Sequence, residues 1–194
     1  MTSAPVRRGV ARRSELLDAL VALLLAEGFA AFTLDDLAAR LHCSKRTLYS
    51  IAGSKEQLVR AAVVRFFRQA TVAVETAVAR EPDPAARIAV YLQAVAAALR
   101  PASAAILDDV ASFAPAAEIY ERNTRAAARR IRDLVDEGVA SGAFREAHTG
   151  FVADVVASTM VRIQNRQVAL ATGLSDAEAY AELATLVTRG LAAP

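Results

Sequence analysis

Three helix starts follow one another between Thr33 and Gln57, and this run constrains the fold more than any other part of the chain. Thr33 with Asp36 three residues on has the form of a capping box, Ser44 stands before Lys45-Arg46-Thr47-Leu48-Tyr49, and Ser54 pairs with Gln57. A hydroxyl that accepts from the third amide of the next turn fixes where a helix begins. Starts this close leave room only for short helices, joined at His42-Cys43 by a tight turn. Leu37, Leu41 and Leu48 supply a common inner side.

The rest of the sequence extends the same logic. Leu17, Leu20, Val21 and Leu24 predict a buried helix face over Ser14 to Glu27, stopped by Gly28. Residues 1–11 read as a loose basic arm. A long helix is predicted from about Lys55 to Arg80, broken at Glu81-Pro82-Asp83-Pro84, where Asp83 can cap and Pro84 suits a first turn. Further helices are predicted at about 84–99, 102–113, 115–141, 149–172 and 175–191, with Ser175 and Glu178 as another capping box. With 55% hydrophobic residues, abundant alanine and only eight glycines and six prolines, the class is all-α. An N-terminal helix-turn-helix domain over 12–58 precedes a larger helical domain over 59–194.

Charge is placed to match. Residues 1–60 carry nine Lys/Arg against six Asp/Glu, and residues 61–194 fourteen against fifteen, so the net charge of +2 sits at the N-terminal end. Lys45 and Lys55 are the only lysines in the chain. A second helix carrying hydroxyls and cations, braced by a first, suits the major groove of duplex DNA. Arg46 can pair bidentately with a guanine edge. Ser44, Lys45, Thr47 and Ser50 can reach phosphates or bases, Tyr49 can give its hydroxyl to a phosphate, and the helix starts at Thr33 and at Ser54-Lys55 present amides to phosphate.

Residues 12 to 60 resemble the DNA-binding domain of the TetR family of bacterial transcriptional regulators. The resemblance rests on Glu27-Gly28-Phe29, on Thr33-Leu34-Asp35-Asp36-Leu37-Ala38, and on Ser44 to Tyr49 followed by Ser54-Lys55-Glu56-Gln57-Leu58. It implies a homodimer on a palindromic operator, usually a repressor, released by a small effector held in the C-terminal helical domain. It also implies phosphate contacts at Thr33, Tyr49 and Lys55, and reading by Lys45, Arg46 and Thr47. The sequence departs from the family at His42, where glycine is frequent, and at Ile51 and Ala52, where His or Tyr and then Phe are common.

For the C-terminal domain, Val152, Val156, Met160 and Ile163 follow one helical face and Tyr180, Leu183 and Val187 another. Such faces suit either an internal core or a four-helix dimer interface, and the resemblance favours the dimer. Phe67, Tyr91, Phe113, Tyr120 and Met160, with Arg162, Gln164 and Asn165, are the candidates for an effector pocket. The alternative is a DNA-binding regulator whose C-terminal domain serves only dimerisation or protein interaction.

Other chemistry finds little footing. His42, His148 and Cys43 do not have metal-ligand spacing, and neither a metal nor a cofactor is expected. Asp108 and Asp109 are adjacent on a predicted helix and do not face one site, so an enzyme is not expected. The arginines between Arg122 and Arg132 are flanked by Glu118, Glu121, Asp133, Asp136 and Glu137 and read as a surface helix with ion pairs. One cysteine fits a reducing compartment. The longest apolar run, Ala19 to Ala26, is too short for a bilayer, and Arg7, Arg8, Arg12 and Arg13 precede no cleavage site. A bacterial cytoplasmic protein with no membrane partner is the expectation.

Overall fold

The structure is a computed structural model that describes residues 4–193. Its elements are α1 (Ala4–Glu27), α2 (Leu34–Arg40), α3 (Lys45–Tyr49), α4 (Lys55–Ala79), α5 (Pro84–Leu99), α6 (Ala104–Ser112), α7 (Ala114–Ala140), α8 (Thr149–Gln164), α9 (Gln167–Thr172) and α10 (Asp176–Leu191). The fold is all-α: the described residues form no strand, and one isolated antiparallel bridge joins Phe144 to Ala192.

Most predicted starts fall where the caps place them. Thr33 is extended (φ −86°, ψ 172°) and forms a reciprocal capping box with Asp36, as Ser175 does with Glu178. Ser44, Asp83 and Ser103 each accept an amide of the following turn. At Ser54 the pattern is split: its hydroxyl accepts from Gln57 N, but the Gln57 side chain reaches back to the amide of Gly53 rather than to that of Ser54.

Two helices differ from expectation. Ala4 to Ala11, read as part of a loose arm, continue α1. Proline at the second helical position forfeits no bond there, because first-turn amides have no helical partner anyway. The helix expected over 149–172 breaks at Asn165-Arg166, where Arg166 takes φ +58° and α9 starts afresh. Gly138 lies inside α7 as a packing residue. A Cβ there would fall 2.1 Å from the buried Phe144 ring.

The chain divides into two compact units: residues 1–69 with 101–119, and residues 70–100 with 120–194. The stretch 101–119, including α6, therefore joins the N-terminal helices. The first unit buries Leu20, Val21, Leu24, Phe29, Leu37, Leu48, Leu58, Val59 and Ile106 together. Arg65 ties α4 to α1 through Asp18 (2.8 and 2.9 Å) and Ser14 (2.8 Å), which holds the Asp18 carboxyl below its usual range. The second unit packs α5, α8 and α10 around Ile88, Leu92, Ile131, Val156, Ile163 and Tyr180. Residues after α7 are fastened to the end of α10 by Arg145 N to Leu191 O (2.9 Å).

Candidate nucleic-acid interface

The turn between α2 and α3 is closed by backbone bonds from Cys43 N to Ala38 O (2.9 Å) and His42 N to Ala39 O (3.2 Å). His42 sits at φ +49°, the left-handed region that glycine fills more easily. Cys43 is half-buried, and burial pushes its thiol pKa up. A raised pKa lowers the thiolate fraction on which redox reactivity depends.

Orientation of α3 follows from one residue. Leu48 is 1% exposed and Leu37 is fully buried, each worth roughly 1.5–3 kcal/mol of transfer free energy. With Leu48 inward, Lys45, Arg46, Tyr49 and Ser50 are exposed, and Tyr49 shows 52% of its surface. Thr47 is half-buried, its hydroxyl 2.8 Å from that of Ser44, and Ser50 donates to Thr47 O (2.6 Å). The Arg46 side chain makes no ion pair or hydrogen bond among the described residues, whereas Lys45 meets Asp35 of α2 at 2.6 Å. That hydrogen bond raises the Lys45 pKa.

The supporting contacts come from outside the turn. Arg13 of α1 donates to Ile51 O (2.9 Å), fixing the chain just past α3. Lys55, at the start of α4, donates one ammonium hydrogen to Ala30 O (3.2 Å). Thr33 is more committed than its sequence position suggests: its hydroxyl donates to Asp36 Oδ2 (2.6 Å) while accepting from Asp36 N (3.2 Å). The Thr33 bonds lead the causes that hold the Asp36 carboxyl below the ordinary carboxylate range.

The predicted effector residues separate. Phe67 and Phe113 belong to the first unit, Phe67 against Phe66 (5.1 Å) and Phe113 edge-on to Phe29 (5.7 Å). Arg162 and Asn165 are exposed. Tyr91, Tyr120, Met160 and Gln164 share the second unit. There the Tyr120 hydroxyl donates to Gln164 Oε1, and Gln164 Nε2 donates to the Tyr180 hydroxyl (3.0 Å). Burial pushes the phenols of Tyr91 and Tyr120 up to about 12 and raises that of Tyr180.

The residues predicted for a dimer surface face inward. Val156, Met160, Ile163, Tyr180 and Leu183 are buried in the core of their own unit, and Val152 and Val187 pack against it. Periodicity alone did not separate the core-facing stripe of these helices from their exposed one. The exposed apolar side chains on them are Phe151 (66%) and Val155 on α8 and Leu186 (72%) on α10. Between Glu121 and Arg125 the expected i, i+4 ion pair forms at 2.9 Å. No group of three His, Cys, Asp or Glu among the described residues is placed to hold a metal. No single helix there is long and apolar enough to cross a membrane.

A short outward-facing helix held by a buried leucine, with a bracing helix and a closed turn before it, defines a helix-turn-helix DNA-binding domain. Residues 16–62 match the family model described as bacterial regulatory proteins, tetR family. Over that segment the chain is similar to the DNA-binding part of the tetR family of bacterial regulatory proteins. No curated protein matches the sequence. Solved structures share the fold across nearly the whole chain. A TetR transcriptional regulator from Chloroflexus aurantiacus is 22% identical over 97% of this chain and 100% of its own, with a TM-score of 0.78. One from Haloarcula marismortui is 16% identical over 95% and 100%, with a TM-score of 0.80. A transcriptional regulator from Saccharomonospora viridis, solved in complex with choline, has the same identity, coverage and TM-score.

Proposed function

We propose that the protein is a cytoplasmic repressor that binds a palindromic operator as a homodimer and leaves it when a small, largely apolar effector enters the second unit. The observation that carries this reading is the setting of α3: Leu48 is locked inward, and Arg46 is exposed and unpaired among the described residues. Arg46 then reads a guanine edge, with Lys45 and Thr47 beside it. Tyr49 and Lys55 hold phosphates, each keeping side-chain hydrogen-bond donors that no acceptor among the described residues takes up. Ser44 and Ser50 line the same edge, and Thr33 contributes through the backbone start of α2, since its hydroxyl proton is engaged by Asp36.

Two protomers meet through the exposed apolar side chains of α8 and α10, Phe151, Val155 and Leu186. The effector contacts Tyr91, Tyr120, Met160 and Gln164. A second reading is a regulator with no small ligand. It is favoured by Gln164, whose amide already has a tyrosine partner at each end and needs no guest.

Footprinting on the DNA upstream of the protein's own coding region tests the proposal. Protection of an inverted repeat, lost on adding a metabolite that also raises the thermal midpoint, supports ligand-released repression. Protection that no metabolite relieves, with no midpoint shift across the same panel, supports the second reading.

A further inference from the structure

Asp109 lies on α6, far along the chain from the helix-turn-helix and outside the segment that matches the family. In space it belongs to the same unit. Its Oδ2 accepts two consecutive backbone amides of the turn after α1, Phe29 N at 2.5 Å and Ala30 N at 2.8 Å. Hydrogen bonds to an ionised carboxylate are roughly twice as strong as neutral ones.

The approach is built into the backbone. Gly28 takes φ +77°, and a Cβ on it would fall 2.5 Å from Asp109 Oδ2 and 3.2 Å from the Ala105 Cβ. A second bond, Ser103 N to Leu25 O at 2.8 Å, fastens the start of α6 to the last turn of α1. Ala30 is thereby held on both sides, its amide by Asp109 and its carbonyl by the Lys55 ammonium. The same turn runs on to Thr33, which caps α2.

We infer that Asp109 is a positioning residue for DNA binding: it fixes the 28–30 turn whose Ala30 carbonyl aims the Lys55 ammonium at a phosphate. The inference rests on the assignment of Lys55 as a phosphate contact. It adds that this contact is set by a carboxylate from a helix beyond the helix-turn-helix. Without Asp109 the two amides turn to water, Ala30 O moves, and Lys55 loses its fixed direction.

The test uses the full-length protein and a duplex recovered by the wild type from a random-sequence pool. Affinity is measured over a range of salt for Asp109→Ala, Asp109→Asn, Lys55→Ala and the double variant Asp109→Ala/Lys55→Ala. One phosphate contact contributes about 0.9 to the slope of log K against log salt. Lys55→Ala lowers the slope by about that amount per protomer bound, Asp109→Ala follows it, and the double variant is no worse than Lys55→Ala alone. Asp109→Asn keeps a neutral acceptor and falls between wild type and Asp109→Ala, so it carries the test if the alanine variant does not fold. If Lys55→Ala leaves the slope unchanged, Lys55 is no phosphate contact and the inference falls with it. If Lys55→Ala lowers the slope while both Asp109 variants keep the wild-type slope, or the losses add, Asp109 serves stability alone and the inference is overturned.

Discussion

Replacing Arg46 by lysine separates reading from charge. Arg46 is exposed and makes no ion pair among the described residues, so the change should alter folding stability by no more than about 0.5 kcal/mol. Lysine keeps the positive charge and gives up the planar fork that pairs with guanine N7 and O6. A bidentate pair of this kind discriminates by about 1–3 kcal/mol, and a dimer makes it twice, so specific binding should weaken by about 2–6 kcal/mol. At about 1.36 kcal/mol per decade this is roughly 30-fold to roughly 10⁴-fold. Fluorescence anisotropy with a selected duplex and a shuffled duplex of equal composition measures both terms. The selected duplex should lose affinity by that factor, while the shuffled duplex and the salt slope stay as in the wild type. Equal weakening on both duplexes, or no change on either, would refute the assignment of Arg46 as a reader.

Asp35→Asn should strengthen DNA binding. It frees Lys45 from an exposed ion pair and removes a like charge from the phosphate-facing edge, by up to about fivefold per half-site in low salt and less as salt rises. Thr33→Ala should flatten the acid limb of stability. The Asp36 carboxyl titrates lower in the folded chain than in the unfolded one, so its contribution is complete above the ordinary carboxylate range and is lost as pH falls through the depressed folded value. Thermal midpoints of wild type and variant should therefore converge in acid, and a constant gap would contradict this. Phe151→Asp combined with Leu186→Asp should shift the sedimentation coefficient from dimer to monomer while leaving the helical circular dichroism intact. Persistence of the dimer would remove those side chains from the interface.

What could be read from the sequence was local. Caps at Thr33, Ser44, Asp83 and Ser175 act over three residues, so they fix helix starts whatever the tertiary context. The inward setting of Leu48 likewise follows from spacing alone, and it turned Arg46 and Tyr49 outward as expected. Properties that depend on distant neighbours were hidden. Nothing in the α8 and α10 sequences says that Val156 and Tyr180 already have a core to fill while Phe151 and Leu186 do not. Aromatics grouped by type, such as Phe113 and Tyr120, fall into different units because the chain crosses between units at Ile119 and Tyr120. Asp109 was visible only as half of an acidic pair on a helix, and its role depends on a turn some eighty residues earlier in the chain.

Selection from a random-sequence duplex pool, run in parallel with the wild type and with Lys45→Ala/Arg46→Ala, bears most directly on α3 as the reading element. The wild type should enrich an inverted repeat whose half-sites lie about 34–36 Å apart along one face of the duplex, and the double variant should enrich no sequence while remaining a folded dimer. Recovery of the same repeat by both proteins would contradict the account.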